Sequence, residues 1–360
     1  FGPKWVIFTG VFISAAGLVL MKYIDSLWAF YLVWGVLIGT GINLSMTIAM
    51  DKMITNWFIS KRGLAHGIKF ALIGLCGVIV VPIITWQVEE LGWRITCLIL
   101  GGILFVCLPF VLFTIKQQRP EYYGLLPDGA KPEEGLDTDD MIDRGIEYAS
   151  GFEEDEFTLR QAMRTPAFWL ILFAISGHAA VFGGFNVHCI PFLTDRGIEA
   201  TAAGAMMSLM IFFTIPSRFV GGIIADKVSK ARMSLLLAVS LFFQAAGVGI
   251  FCLHPSPTTV YVMLILYGLG NGATTPLYLL IMARFFGRKA YGSINGAISL
   301  MRSPIQFLSP VFAGWVYDNN GSYITAFTVY AVFAALAGVV MLACRPPKAP
   351  EQIGDVRSFV

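Results

Sequence analysis

Ten apolar runs, near residues 5–22, 27–50, 66–86, 93–115, 167–193, 201–225, 233–253, 258–283, 290–316 and 323–344, occupy most of this chain. Each has roughly the 17–25 residues with which an α-helix crosses a bilayer. None alternates apolar and polar residues as a membrane barrel does, in strands of about 10 residues. Inside hydrocarbon no water is available to the backbone, so each run must satisfy its own N–H and C=O groups, and a helix is the structure that does so. The charged fraction, 13%, lies far below the roughly 25% of a soluble domain. The chain is therefore expected to be an all-α membrane protein with ten transmembrane helices.

Several function classes fall away at this point. The six cysteines, Cys76, Cys97, Cys107, Cys189, Cys252 and Cys344, sit in or at the ends of the runs without the spacing of a metal site or a disulfide framework. They read as core filler. Nothing resembles a nucleotide loop, a metal cluster or a Ser/His/Asp set, and Gly221-Gly222 is too isolated to cradle a phosphate. The expectation is a protein that is not an enzyme, with no catalytic residues, metal, cofactor or nucleic-acid partner.

Charge orients the chain. If the runs alternate direction, 19 Lys and Arg fall in one set of loops and only Lys22, Arg94 and Arg196 in the other. The positive-inside rule then puts both chain ends in the cytoplasm. The net charge of +2 hides a split, because the loop 116–165 holds 13 Asp and Glu against six Lys and Arg. Such a segment cannot bury a core and reads as a solvated linker, although Asp137–Glu156 could form a short surface helix. Expected domains are thus 1–115, the acidic cytoplasmic linker 116–165, the half 166–345 and a cytoplasmic tail 346–360. The host membrane is expected to be a bacterial inner (plasma) membrane and the protein a monomer in lipid.

The two halves repeat one another. Phe58 and Phe286, Lys61 and Lys289, and Asn43 and Asn271 share an offset of 228, and Phe1-Gly2-Pro3-Lys4 falls opposite Val228-Ser229-Lys230-Ala231 at 227. Two runs precede Val228 in the second half, so their counterparts would precede Phe1. The chain is expected to present ten of twelve helices, lacking the first two.

Gly222-Ile-Ile-Ala-Asp226-Lys227 ends the run 201–225, and Phe1-Gly2-Pro3-Lys4 matches the stretch that follows it, so an equivalent Gly-x-x-x-Asp-Lys is expected to belong before Phe1. Two such six-helix repeats joined by a long cytoplasmic loop resemble the major facilitator superfamily. Within it the chain is similar to the oxalate:formate antiporter and monocarboxylate porter group. That likeness is carried by Arg164-Thr165-Pro166-Ala-Phe168-Trp169, by Trp57-Phe58 with Lys61-Arg62-Gly63-Leu64-Ala65, and by Pro216-Ser-Arg218 with Gly221-Gly222 and Asp226. The resemblance implies a major facilitator fold and a secondary active transporter, antiporter or symporter, of small organic anions such as oxalate, formate or monocarboxylates. Gly222, Asp226 and Lys227 would form its conformational motif, with Asp226 complementing the positive end of a nearby helix.

Two arginines lie inside apolar runs. Arg218 stands eight residues before Asp226 and Arg302 stands 13 after Lys289, depths of about 12 and 20 Å at the helical rise. An arginine at mid-membrane costs about 2.5–3.5 kcal/mol on insertion scales and generally marks a substrate or ion path. A guanidinium fork suits a carboxylate. The resemblance implies an eighth-helix arginine, matched by Arg218, and an eleventh-helix lysine, whose position falls on Ile298, one turn from Arg302. The family's helix-eight aspartate is replaced by Thr214, and no run contains Asp or Glu except Asp51 at a run end. His178 and His188 are the residues of the seventh helix that could titrate near neutrality.

The cavity-lining helices implied by the resemblance also carry Asn43, Asn186, Asn271 and Tyr278, candidates for hydrogen bonds to substrate. Gly35-x-x-x-Gly39 and Gly268-x-x-x-Gly272 are close-packing signals. Two other readings keep the scaffold: a carrier of neutral or lipophilic compounds, and a non-transporting receptor.

Overall fold

The computed structural model describes residues 2–129, 139–141, 143–144, 156–254 and 256–349, side chains at 77, 78, 81, 82, 85, 200 and 201 excepted. Most of the surface helix expected over Asp137–Glu156 and of the tail 346–360 lies outside these residues.

Long helices account for all ten apolar runs. They are α1 (Pro3–Leu20), α2 (Leu27–Trp57), α3 (Arg62–Leu91), α4 (Trp93–Thr114) and α5 (Pro166–Thr194). Then come α6 (Ala200–Lys227), α7 (Met233–Leu253), α8 (Pro257–Phe286), α9 (Tyr291–Asn320) and α10 (Ile324–Ala343). There is no strand among the described residues. Among the described residues, eight helices are long and apolar enough to cross a membrane. The 30-residue α9 carries more polar residues than these, among them Asn295, Arg302 and Gln306.

The helix ends follow local chemistry. Thr165 precedes Pro166 and its hydroxyl accepts from the Phe168 N–H, while Ser256 and Thr259 form a reciprocal capping box around Pro257. Proline is suited to a first helical position, where its missing N–H is not needed. Glycine closes α8, at Gly287 with φ 75°, a left-handed setting that glycine enters without a Cβ penalty.

The chain gathers into two compact units. The first holds the described residues of 1–60 and 72–149. In it α1 packs on α2 and α4, and glycines let the backbones meet. A Cβ on Gly10 would lie 2.6 Å from the Gly41 carbonyl, and one on Gly101 would lie 3.0 Å from the Ala15 carbonyl. Ser14 and Ser45 point their hydroxyls back to the carbonyls of Gly10 and Gly41, each at 2.9 Å. Small-residue seams of this kind replace the hydrophobic drive that lipid cannot supply between helices.

A Cβ on Gly35 would meet nothing within 4 Å, and one on Gly39 would meet only Trp34 of its own helix, at 3.7 Å. That seam therefore does not pack, unlike Gly268-x-x-x-Gly272, which meets α6. Gly41→Ala is expected to lower the thermal midpoint of the detergent-solubilised protein, since overpacking costs about 1–3 kcal/mol. Gly35→Ala should leave it unchanged or raise it by the helix propensity of alanine. Paired melting curves check both.

The second unit holds 61–71 and the described residues from 156 on. Here α5 packs on α9 and α10, α8 on α6 and α7, and α7 on α10. Its buried side chains form two clusters, one around Phe168, Leu241, Phe285 and Ile298, the other around Phe185, Tyr267 and Phe327. Outward faces stay apolar, with Leu300, Phe307 and Val311 of α9 and Leu336 and Val339 of α10 exposed. An aqueous protein would not leave so much large apolar surface uncovered.

Candidate functional site

Arg218 sits two turns inside α6. Its Nη1 donates to the Phe70 carbonyl at 2.9 Å and its guanidinium lies 6.0 Å from the centre of the Phe70 ring, while its Nε is buried without a partner. A guanidinium has five N–H donors, so most of this fork is open to an incoming acceptor. The neighbouring crossing is tight, because a Cβ on Gly67 would stand 3.0 Å from the Arg218 carbonyl. One turn before it, buried Thr214 donates to the Ile211 carbonyl at 2.7 Å.

Arg302 is the second intramembrane cation. Its Nε is buried and lacks a partner. Ile298, one turn earlier, is fully buried in the core. On α5, His178 has its Nδ1 3.0 Å from the Gln244 Oε1 of α7. Gln244 Nε2 donates to Thr274 Oγ1 at 2.7 Å, and Thr274 lies 2.9 Å from Ser240 Oγ, which donates to the Leu237 carbonyl. A line of polar side chains thus crosses from α5 through α7 to α8.

The remaining candidates divide. Asn186 accepts from the Tyr267 hydroxyl at 3.3 Å, and Tyr278 donates to Asn295 at 2.6 Å. Asn271 is buried between Gly270 and Gly272, whose backbones touch α7 and α6. Asn43, in the first unit, is exposed and donates to the Gly39 carbonyl of its own helix at 2.9 Å. His188 bonds the Pro310 carbonyl at 3.0 Å and stacks near Tyr323.

At the end of α6 the Asp226 carboxylate accepts from the N–H groups of Gly63 and Leu64, at 2.7 and 2.9 Å. These are among the amides that the start of α3 leaves without an intrahelical partner, so Asp226 is a cap delivered from another helix. The approach requires glycine on both sides, since a Cβ on Gly63 or Gly222 would strike the other's backbone. Arg284, in the last turn of α8, donates to the carbonyls of Val228 and Asp226 and holds the end of α6. Lys227 is exposed.

Three elements of this site are not singled out by sequence reasoning. Arg284 carries a weak signal, a cation in the last turn of a helix, where free carbonyls collect. Gln244 is a lone amide in an apolar run, with no pattern around it. Asp128, in a Pro-Asp-Gly turn at φ 61°, accepts from the N–H groups of Ile59 and Ser60, the latter at 2.8 Å, all within the first unit. The signal there is the turn itself, since Asp tolerates left-handed backbone better than most residues.

Known proteins give these features a frame. The Major Facilitator Superfamily profile matches residues 1–310. Monocarboxylate transporter 12 of Xenopus laevis is 27% identical over 356 residues, covering 94% of this chain and 72% of that protein. Monocarboxylate transporter 2 of Rattus norvegicus is 24% identical over 350 residues, with coverage of 96% and 70%. Among solved structures the E. coli fucose:proton symporter FucP aligns at TM-score 0.70 and 14% identity, over 96% of this chain and 84% of its own. The human organic anion transporter MFSD10 aligns at TM-score 0.69 and 14% identity, over 94% and 77%. At these identities the structural likeness speaks to the fold alone.

Proposed function

The chain belongs to the Major Facilitator Superfamily, as an integral multi-pass membrane transporter and not an enzyme, and on that premise we propose that it carries small organic anions, mono- or dicarboxylates, by alternating access. The observation that carries this reading is Arg218, a half-open guanidinium inside α6 with one carbonyl partner and a dry Nε. A carboxylate bound there would receive two parallel N–H bonds and cancel a charge that is costly in the bilayer. Loaded and empty carriers would then differ by that charge, which is what lets binding bias the change of access. Two relatives named as monocarboxylate transporters support the substrate class.

Asn186, Asn271, Tyr278 and Asn43 are proposed as secondary contacts, and Gly222, Asp226 and Lys227 as the motif that holds one conformer. Both chain ends are proposed to be cytoplasmic. The relatives quoted are vertebrate proteins, so a bacterial membrane has no support from them.

Uptake of labelled oxalate, lactate and formate into vesicles holding the purified protein tests the reading. Arg218→Gln is expected to cut carboxylate uptake by about 100-fold, in the range seen when one partner of a buried charge pair is truncated. Arg218→Lys should fall between, since an ammonium lacks the planar fork. Full retention in Arg218→Gln would sink the proposal. Uptake of neutral tracers alone would favour the neutral-compound carrier, and no uptake of any tracer by the wild type would favour a receptor.

A further inference from the structure

One aromatic ring in the second unit carries two cations. Arg218 of α6 sets its guanidinium carbon 6.0 Å from the centre of the Phe70 ring, and Lys69 of α3 sets its Nζ 5.0 Å from the same centre. An aromatic face attracts a cation through its quadrupole at about this range, and it does so without consuming the N–H donors that a carboxylate partner would take. The two charges are no more than about 11 Å apart, the two contacts laid end to end. Both lie inside long helices. Lys69 stands seven residues past the start of α3 at Arg62, a depth of about 10 Å at the helical rise, close to that of Arg218.

The crossing of α3 on α6 puts them there. Gly63 meets Gly222 and Gly67 meets the Arg218 carbonyl, so the two helices run past each other in opposite directions. Gly63, Gly67 and Phe70 follow at spacings of four and three, a single face of α3, and on that face Phe70 brings both its carbonyl and its ring to Arg218. Lys69 precedes Phe70 by one residue and leaves the helix in another direction. The ring thus receives Lys69 from its own helix and Arg218 from the neighbouring one. Phe70 also packs against the cluster around Phe168, Leu241, Phe285 and Ile298, which steadies the ring. The sequence resemblance put a second cation on the eleventh helix, where Ile298 is instead part of this apolar cluster. The cation that shares the surroundings of Arg218 comes from α3.

We propose that Lys69 is the second cation of the anion site and that the site takes a dicarboxylate, one carboxylate on the Arg218 fork and the other at the Lys69 ammonium, with the Phe70 ring as the spacer. The inference rests on the organic-anion reading above and names the substrate class of that site. Arg218 has donors to give, since Nη1 is spent on the Phe70 carbonyl while Nε has no partner. Two like charges around one ring repel each other in a poorly screened bundle. A monocarboxylate cancels one of them and leaves the other to be carried through the membrane at a cost, whereas a dicarboxylate cancels both. The pair therefore discriminates by charge, and its preference departs from the monocarboxylates in the names of the two relatives. Lys69 acts here as a specificity-determining residue, and Phe70 as the positioning residue that sets the span between the charges.

The test is calorimetric titration of the purified full chain with succinate and with L-lactate at pH 7. The wild type is expected to bind succinate at least about 10-fold more tightly than lactate, and Lys69→Gln to weaken succinate about 30-fold while changing lactate less than about threefold, as when one charge partner of a desolvated pair is removed. Lys69→Arg should keep the preference for succinate, because it keeps the charge. Should Lys69→Gln fail to fold, Lys69→Met retains most of the apolar stem and provides the second arm, with the same selective loss expected. A structural role for Lys69 would instead lower both affinities together. Equal affinity of the wild type for succinate and lactate, or an equal loss of both in the folded variants, overturns the proposal and leaves the anion-carrier reading standing. No binding of any carboxylate by the wild type defeats the anion-carrier reading itself and this proposal with it.

Discussion

Asp226→Asn is expected to release the first turn of α3, with hydrogen exchange at Gly63 and Leu64 accelerated by about 30- to 100-fold. The carboxylate accepts two amides with two oxygens. An asparagine side chain has one oxygen, so its NH2 would confront a second N–H group with nothing to accept it. Loss of a side-chain cap costs about 0.5–2 kcal/mol. Bonds to an ionised acceptor are roughly twice as strong as neutral ones, and the negative charge also complements the positive end of the helix. A total of about 2–2.7 kcal/mol is reasonable, and each 1.4 kcal/mol is about tenfold in a population.

Arg284 should limit the damage to the loop side of this contact. Its bonds go to the carbonyls of Asp226 and Val228 rather than to the carboxylate, and they survive the substitution. The end of α6 should therefore remain ordered while the α3 amides open, a separation that residue-resolved exchange can see. Equal protection at Leu64 in the wild type and Asp226→Asn would show that the cap does not hold the turn.

Hydropathy locates all the long helices because the bilayer supplies a length scale, and it misplaces their ends for a physical reason. The run 27–50 stops at the last apolar stretch, but α2 continues to Trp57 through Asp51 and Lys52. Likewise α3 extends from Arg62 to Leu91 around the run 66–86. Hydrogen bonding carries a helix past the hydrocarbon edge, where hydropathy no longer reports it. Arg218 stands out because its cost in the membrane is intrinsic to one residue. Its partner, the Phe70 carbonyl, belongs to a different helix and to the backbone, so no side-chain pattern could name it.

The glycine motifs show the same limit. Gly35-x-x-x-Gly39 and Gly268-x-x-x-Gly272 are indistinguishable as patterns, yet the first faces open space and the second meets α6. A small-residue ridge says that a backbone can approach, and only tertiary structure says whether one does. The seam that packs in the first unit, Gly10 against Gly41, has no i, i+4 glycine partner in its own helix. The hydrogen-bond line from His178 to Ser240 is hidden similarly, since each member is a single polar residue in an apolar run.

Gly272→Val is expected to abolish carboxylate transport and to reduce the yield of folded protein severalfold. A Cβ on Gly272 would run into the Thr214 carbonyl and lie 2.8 Å from the Thr214 Cα, and a Cβ on Gly268 would lie 2.6 Å from the Met210 carbonyl. These are backbone atoms, which cannot rotate aside as a side chain can, so α6 and α8 must part. Overpacking of a core costs about 1–3 kcal/mol, and here the bond from Ser217 to the Leu269 carbonyl is stretched as well. Arg218 follows one turn after Thr214 on the displaced helix, and positional errors of about 1 Å in a binding group can cost about 100-fold. Gly204→Ala provides the control on the same helix, because nothing stands within 4 Å of its Cβ position, and it should leave both yield and uptake near wild type. Detergent-extracted yield and lactate uptake per folded molecule separate the two losses. Normal uptake by the folded fraction of Gly272→Val would mean that the α6–α8 crossing does not set the position of Arg218.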